Sequence, residues 1–378
     1  MIAPRWNRGV VERPRIVLAG GGSGGHVYPG LALAQALAGC SSDVEVRLLA
    51  TDRPIDRLIL GRQRVPWEPF PALRPPGGAA LGTALRAAPV LGCAVQRIRR
   101  LRPHAVVGLG GYGSVAPCLA AAGLRVPVFL LEPNRIPGRA NRLLSHLARE
   151  VWIHFEGTQG ALPRGTRTFR TGNPLRPGLR PLPAPAARVA LGLDPHRPTL
   201  LVLGGSQGAA GVNRAVVASM RAIRRATPDL QVLHLTGFSD RDVVTEAYRE
   251  ASIPARVEAY LEEMERAYSA ADLVVARSGA GTLAEITAIG VAAVLVPYPH
   301  HRDRHQLANA LALESVGAAR VCREDDRDDL AGTIGDLLTD GARREAMARR
   351  SKERGCPGAA AEALRRLEHW KLLPGATS

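Results

Sequence analysis

Aromatic residues make up only 4% of this 378-residue chain, and lysine is almost missing, with 48 of the 50 basic residues being Arg. So few aromatics argue against a nucleic-acid module, which needs stacking platforms or a basic recognition helix. Cysteine is also scarce. Five Cys without a Cys-x-x-Cys pair give neither a disulfide framework nor a zinc site, and fit a reducing compartment. Residues 1–12 mix Arg5, Arg8 and Glu12 with polar groups and lack a sustained apolar stretch, so no secretory signal is expected. The nearest approach to a membrane span, residues 105–124, carries no charge but holds five Gly, Pro117, Tyr112 and Ser114. It reads as strand, glycine loop and helix start, and no transmembrane segment is expected.

What is present is a globular composition, 46% hydrophobic and 22% charged, in a chain long enough for two to three domains. The net charge of +16 is unevenly placed: residues 1–172 hold 23 basic and 9 acidic groups, the remainder 27 and 25. The first half should therefore meet an anionic surface or ligand. With nucleic acid disfavoured, an anionic membrane surface is the expected partner, although the preponderance of Arg also reflects genome composition.

Apolar runs at residues 15–19, 44–49, 105–109 and 126–131 alternate with helical spacing, the first passing through Gly20-Gly-Gly-Ser-Gly-Gly25 into a helix. Four prolines within residues 176–187 mark a linker. The pattern then restarts with runs at 199–203, 231–235, 273–276 and 291–296. Strands alternating with helices predict an α/β fold of two Rossmann-like, doubly wound parallel-sheet domains, 1–175 and 188–355, facing a cleft. Residues 356–378 should form a C-terminal helix that packs back on the first domain. Between the second and third runs, residues 73–102 mix Leu81, Leu85, Val90, Leu91 and Val95 with Arg97, Arg99, Arg100 and Arg102. An interfacial membrane helix and a plain core helix with a solvated end both fit that pattern.

Gly20-x-Gly22-x-x-Gly25, with Asp52 after the next strand, formally matches the dinucleotide fingerprint. That reading leaves unexplained a second glycine loop, residues 204–208, and the run Arg277-Ser-Gly-Ala-Gly-Thr-Leu-Ala-Glu285. In the latter a small-residue turn opens into a helix whose N-terminal N–H groups and dipole can hold a diphosphate. Glu285, one turn in, is placed to accept both hydroxyls of a ribose; as a capping-box partner of Thr282 it would have a purely structural job.

Taken together, Gly20 to Pro29, Gly110-Gly-Tyr112, Glu132-Pro-Asn134, Gly172-Asn-Pro-Leu-Arg176, Gly204-Gly-Ser206-Gln-Gly208, Arg277 to Glu285 and Pro297 to Ala310 resemble the motif series of the MurG family. These are the undecaprenyldiphospho-muramoylpentapeptide β-N-acetylglucosaminyltransferases of peptidoglycan synthesis, and the match runs in order from about Arg15 to Arg320. The resemblance implies a GT-B glycosyltransferase on the cytoplasmic face of the bacterial cell membrane. It would move N-acetylglucosamine from UDP-N-acetylglucosamine to the 4-hydroxyl of the N-acetylmuramoyl sugar of lipid I, giving lipid II with inversion. Carried over by position, Ser23, Gly24 and Gly25 would lie at the donor sugar and diphosphate with Asn134 nearby. Arg176 and Ser206 would lie at the phosphates, and Leu261 would meet the uracil edge through its backbone. Ala280, Gly281, Thr282, Leu283, Ala284 and Glu285 would hold diphosphate and ribose, and His305 and Gln306 the sugar hydroxyls.

Inverting transfer needs a base at the acceptor hydroxyl and stabilisation of the leaving diphosphate. His26, at the end of the first glycine loop and near a helix N-terminus that favours neutral imidazole, is the candidate base; orienting the loop or a substrate is its other reading. The triplets Asp240-Arg-Asp242 and Asp326-Arg-Asp328 stand where helix capping is their expected role, so neither a metal nor another cofactor is expected. Ser23 stands for the family's commoner Thr, Gly281 for a larger apolar residue, Pro133 for Gln, and Leu261-Glu-Glu-Met264 for Ile-Asp-Asp-Met. Pro133 puts one side-chain amide contact in doubt. The alternatives are a GT-B enzyme glycosylating another lipid, and a dinucleotide-binding module without turnover.

Overall fold

A computed structural model describes residues 13–40, 44–72, 80–204, 209–300 and 303–373. The chain divides into two units, one made of residues 1–177 together with 357–378, the other Gly178–Cys356.

In the first unit the order is β1 (Arg15–Ala19), α1 (Gly24–Cys40), β2 (Glu45–Ala50), α2 (Pro54–Leu60), β3 (Trp67–Pro69), α3 (Ala80–Leu101), β4 (Ala105–Gly108), α4 (Val115–Gly123), β5 (Val128–Glu132), α5 (Arg139–Leu144), β6 (Glu150–Ile153) and β7 (Thr168–Arg170). The strands form one parallel sheet ordered β3-β2-β1-β4-β5-β6-β7. Because successive strand residues face opposite sides, Ile16 and Leu18 join one buried cluster with α1, while Val17 and Ala19 join another with α3 and α4. That is why the strands read as unbroken apolar runs. The order reverses between β1 and β4, so the loops following these two strands lie side by side at the carboxyl edge of the sheet.

The second unit follows as α6 (Ala184–Ala190), β8 (Thr199–Leu203), α7 (Ala210–Ala226), β9 (Gln231–Leu235), α8 (Arg241–Glu250), β10 (Ala255–Glu258), α9 (Met264–Ala270), β11 (Leu273–Ala276), α10 (Ala280–Ile289), β12 (Ala293–Leu295), α11 (His305–Glu314), β13 (Arg320–Val321), α12 (Arg327–Thr339) and α13 (Gly341–Glu353). Its parallel sheet, β10-β9-β8-β11-β12-β13, reverses between β8 and β11. The Pro-rich stretch is helical from Ala184: Pro185 falls in the first turn, where no N–H is needed, and Leu182 N–H donates to Ser269 Oγ. Arg188, nearly buried in α6, donates to the carbonyls of Ala270 and Pro195 and pairs with Asp272 at 2.7 Å.

The last helix, α14 (Ala359–His369), places Ala363, Leu364 and Leu367 in the first unit's core against α1. Arg366 grips buried Glu150 through two hydrogen bonds of 2.9 and 2.7 Å and stacks over Phe169, and Arg149 and Arg167 lie over the Trp370 ring. No helix among the described residues is long and apolar enough to cross a membrane.

Candidate functional site

In the first unit the site grows from three interlocked turns. Gly20, at the end of β1, lies where a Cβ would stand 2.7 Å from the Leu109 Cβ, so the β1 and β4 loops approach with no room for a side chain. Gly110 and Gly111, with φ of +91° and +70°, pass around the His26 ring; a Cβ on either would come within 3.1 to 3.2 Å of its carbons. His26 sits in the first turn of α1, its N–H donating to the Ser23 carbonyl at 3.1 Å. Its Nδ1 lies 3.0 Å from the Leu109 carbonyl. A carbonyl only accepts, so Nδ1 carries the proton in the neutral ring and Nε2 is the basic nitrogen. The first N–H groups of α1, at Ser23 to Gly25, have no intrahelical acceptor and present a positive dipole end.

The acidic residue that completes the fingerprint has an ion-pair partner of its own. Asp52 is exposed and held by Arg57 at 2.6 and 2.7 Å, an ion pair that lowers its carboxyl from the ordinary value. The carboxylate that matters to the loop is Asp56, which is fully buried, accepts the Gly22 N–H at 3.0 and 2.7 Å and also takes the Thr51 hydroxyl. Its signal was an acid in the first turn of a helix following a strand, a placement shared with many ordinary helix starts.

Glu132, at the end of β5, gathers the following loop. Its carboxylate accepts the Asn134 backbone and side-chain N–H groups at 3.0 and 3.1 Å, the Gly138 N–H at 2.9 Å and the Asn141 amide at 2.9 Å. Burial pushes the Glu132 carboxyl above its ordinary range, while these donors favour the ionised form. Asn134 is thus oriented by Glu132, and its carbonyl accepts from Thr158. Pro133 costs this arrangement nothing, because the bonds run through residues 132, 134, 138 and 141. Arg176 stacks its guanidinium 4.6 Å from the Tyr28 ring centroid, next to the first glycine loop.

In the second unit the turn Arg277–Gly279 leads from β11 into α10. The N-cap is Gly279, and no side chain caps the helix, so its first N–H groups are aimed outward from the carboxyl edge of the sheet. Thr282 stands at the third helical position, which removes the capping-box reading of Glu285. Glu285 is buried and its Oε2 accepts from Tyr268 at 2.8 Å. Of the predicted run, Leu283 and Ala284 turn their side chains into the core and offer only backbone, whereas Gly281 and Thr282 are half-buried at the helix start. A Cβ at Gly281 would meet nothing within 4 Å, so the larger residue usual in the family would fit there.

The start of α11 is tied to this turn. Ser278 Oγ donates to the Gln306 carbonyl at 2.8 Å, and the fully buried Asn309 donates to the Ser278 carbonyl at 3.3 Å. His305 and Gln306 are thereby brought beside Ala280–Glu285. Gln306 Oε1 accepts the Tyr298 N–H at 3.0 Å, fixing the side-chain amide, and His305 Nδ1 lies 2.7 Å from Asp303. Arg277 is fixed by the carbonyls of Val296 and Pro297 and by Glu324, a partner that nothing in the local sequence signals. Leu261 is half-buried in the β10–α9 loop. Ser206, with residues 205–208 of the second glycine loop, lies outside the described residues. Asp326 caps α12 through the Asp329 N–H, and Asp240 accepts from Asn213. Among the described residues no group of three or more His, Cys, Asp or Glu gathers as a metal site would.

Two buried imidazoles stand near these loops. Burial and the Arg170 guanidinium push His154 down to about 4, and burial pushes His234 to about 3, so both are neutral in the folded chain. Unfolding returns each toward its ordinary value of 6.5. With the folded values depressed, their contribution to stability is complete above that ordinary value and is lost as pH falls towards the folded ones. Each should account for about 2 kcal/mol between pH 7 and pH 5. Urea unfolding at both pH values measures this, and equal stability at the two would contradict it.

The sequence model described as the glycosyltransferase family 28 N-terminal domain matches residues 16–153, and that of the family 28 C-terminal domain matches residues 199–363. The UDP-N-acetylglucosamine--N-acetylmuramyl-(pentapeptide) pyrophosphoryl-undecaprenol N-acetylglucosamine transferase of Syntrophotalea carbinolica is 38% identical over 359 residues, 93% of this chain and 97% of that protein. The transferase of the same name from Geobacter sulfurreducens is 37% identical over 344 residues, 90% of this chain and 94% of its own. The crystal structure of Acinetobacter baumannii MurG superposes with a TM-score of 0.75 at 27% identity, covering 94% of this chain and 99% of that one. A UDP-GlcNAc 2-epimerase from Neisseria meningitidis bound to UDP-GlcNAc, 13% identical, shares the fold at a TM-score of 0.68, covering 94% of this chain and 100% of its own.

Proposed function

Because this chain belongs to the MurG family of glycosyltransferases, we propose that it transfers N-acetylglucosamine from UDP-N-acetylglucosamine to the 4-hydroxyl of the N-acetylmuramoyl sugar of lipid I, forming lipid II with inversion at the anomeric carbon. The observation that carries the donor half is the uncapped N-terminus of α10 with Glu285 buried one turn in. Such a helix end receives a diphosphate through backbone N–H groups and dipole, and a fixed carboxylate accepts the ribose hydroxyls. His305 and Gln306, tied to the same turn, take the sugar hydroxyls; Leu261 meets uracil through its backbone, and Ser206 and Arg176 serve the phosphates.

In the first unit His26 Nε2 receives the proton of the acceptor hydroxyl as that oxygen bonds to the anomeric carbon. The bond from that carbon to the β-phosphate oxygen breaks on the opposite face, its electron pair leaving with UDP. The charge that develops on the diphosphate is met by helix N-terminal N–H groups, with Ser23 to Gly25 assigned among them. Asn134, held by Glu132, adds a polar contact to the sugar. No metal or other cofactor enters this scheme.

Attachment to an anionic membrane on the cytoplasmic side is supported by the basic first unit, where Arg135, Arg139 and Arg142 flank Leu143 and Leu147, 57% and 49% exposed. The test is a transfer assay with a lipid I analogue, UDP-N-acetylglucosamine and a chelator. The expected result is a disaccharide product with one UDP released per transfer, and sedimentation with vesicles containing anionic lipid. Binding of NAD without sugar transfer would overturn the reading, and a product on some other lipid would overturn the acceptor assignment.

A further inference from the structure

A buried polar network crosses the second unit without touching any residue assigned above to substrate. Asn213, four residues into α7, donates through Nδ2 to the Thr236 carbonyl at 3.0 Å and to Asp240 Oδ2 at 2.8 Å. Both amide hydrogens are thereby used, so its Oδ1, 3.0 Å from His234 Nε2, can only accept. His234 therefore carries its proton on Nε2, and Nδ1 accepts from the Tyr248 hydroxyl at 2.9 Å. Asn213, His234, Thr236 and Tyr248 are all buried. The network joins α7, β9 and α8.

What it holds is the turn after β9. Gly237 there has a φ of +80°, and the N–H groups of Thr236 and Gly237 donate to the carbonyls of Glu258 and Ala259 at 3.0 and 3.1 Å. Two residues beyond Ala259 is Leu261. A continuous set of hydrogen bonds thus runs from α7, the helix that follows the second glycine loop, through Asn213 to the Thr236–Gly237 backbone and on to the loop carrying Leu261.

We infer that Asn213, clamped by His234, is a positioning residue for nucleotide recognition: it fixes the turn after β9 against α7 and so sets where the β10–α9 loop presents the Leu261 backbone to the base. This rests on the reading that Leu261 meets the uracil edge. The edge of uracil has one N–H donor beside carbonyl acceptors, and cytosine inverts that pattern, so recognition by a backbone N–H and C=O depends on placement of the loop. A displaced loop loses both affinity and the preference between the two bases.

The experiment compares UDP-N-acetylglucosamine kinetics, and UDP against CDP binding, in the full chain and in Asn213→Ala, His234→Leu and His234→Gln. Gln places an amide N–H where the imidazole Nε2–H stood, whereas Leu fills a similar volume without a donor. The expected result for Asn213→Ala and His234→Leu is a KM raised at least tenfold, kcat lowered less than threefold, and a shrunken UDP preference, with His234→Gln within threefold of the parent. If Asn213→Ala fails to fold, the His234 pair carries the comparison. A His234→Leu chain that keeps KM and base preference overturns the inference while leaving the Leu261 reading intact. A parent chain that binds UDP and CDP equally overturns the Leu261 reading itself.

Discussion

Replacing His26 with Ala is expected to lower turnover by about 100- to 10,000-fold, the range for loss of a general base. The hydrogen bond from Nδ1–H to the Leu109 carbonyl sets the tautomer, and the space beside the ring at Gly110 and Gly111 is too narrow for a side chain. Nε2 is thus both the basic atom and held in one direction. A residue that merely oriented the loop would behave differently: its loss would loosen the start of α1 and weaken donor binding along with turnover. The measurements are therefore kcat with a lipid I analogue and calorimetric affinity for UDP. A loss of turnover under about tenfold with UDP affinity unchanged removes His26 from the role. Gly111→Ala should imitate the defect in part, since the added methyl must push on the imidazole while leaving its chemistry present.

Glu285→Ala should weaken UDP binding by roughly 10- to 1,000-fold, the loss of one or two hydrogen bonds to a charged acceptor. The carboxylate is 7% exposed and anchored by Tyr268, so it pays little entropy on meeting a ribose. Removing it also leaves the buried Tyr268 hydroxyl without this acceptor, so part of any loss could come from local rearrangement. The ligand pair UDP and 2′-deoxy-UDP separates the two effects. The parent chain should prefer UDP, and the Ala variant should bind both alike. A variant that still distinguishes them, or that binds UDP as the parent does, contradicts the ribose assignment.

The apolar runs were enough to read out β1, β2, β4 and β5 of one sheet and β8, β9, β11 and β12 of the other, because residues buried on both faces must be apolar whatever covers them; β6, Glu150-Val-Trp-Ile153, escaped although it is buried throughout, since its run is short and opens on a charge. The short outer strands β3, β7, β10 and β13 were not readable. They face the core on one side at most, so sequences such as Ala255-Arg-Val-Glu258 carry no continuous apolar signal. The motif series from Gly20 to Ala310 and its order indicated the family.

Which polar groups are buried and paired is decided by the fold. Asp52 and Asp56 are both acids at the start of α2, and only the fold buries one and exposes the other. The fold excludes a capping-box role for Glu285, because α10 starts at Ala280 with Gly279 as its N-cap. His234 meets Asn213 across 21 residues, and Arg277 meets Glu324 across 47. Hydrophobic pattern and glycine placement are local properties, imposed on each residue by water and by its own backbone, and the sequence determined them alone. The partner of a buried polar group depends on which distant segment the topology brings within 3 Å, and that only the tertiary structure decided.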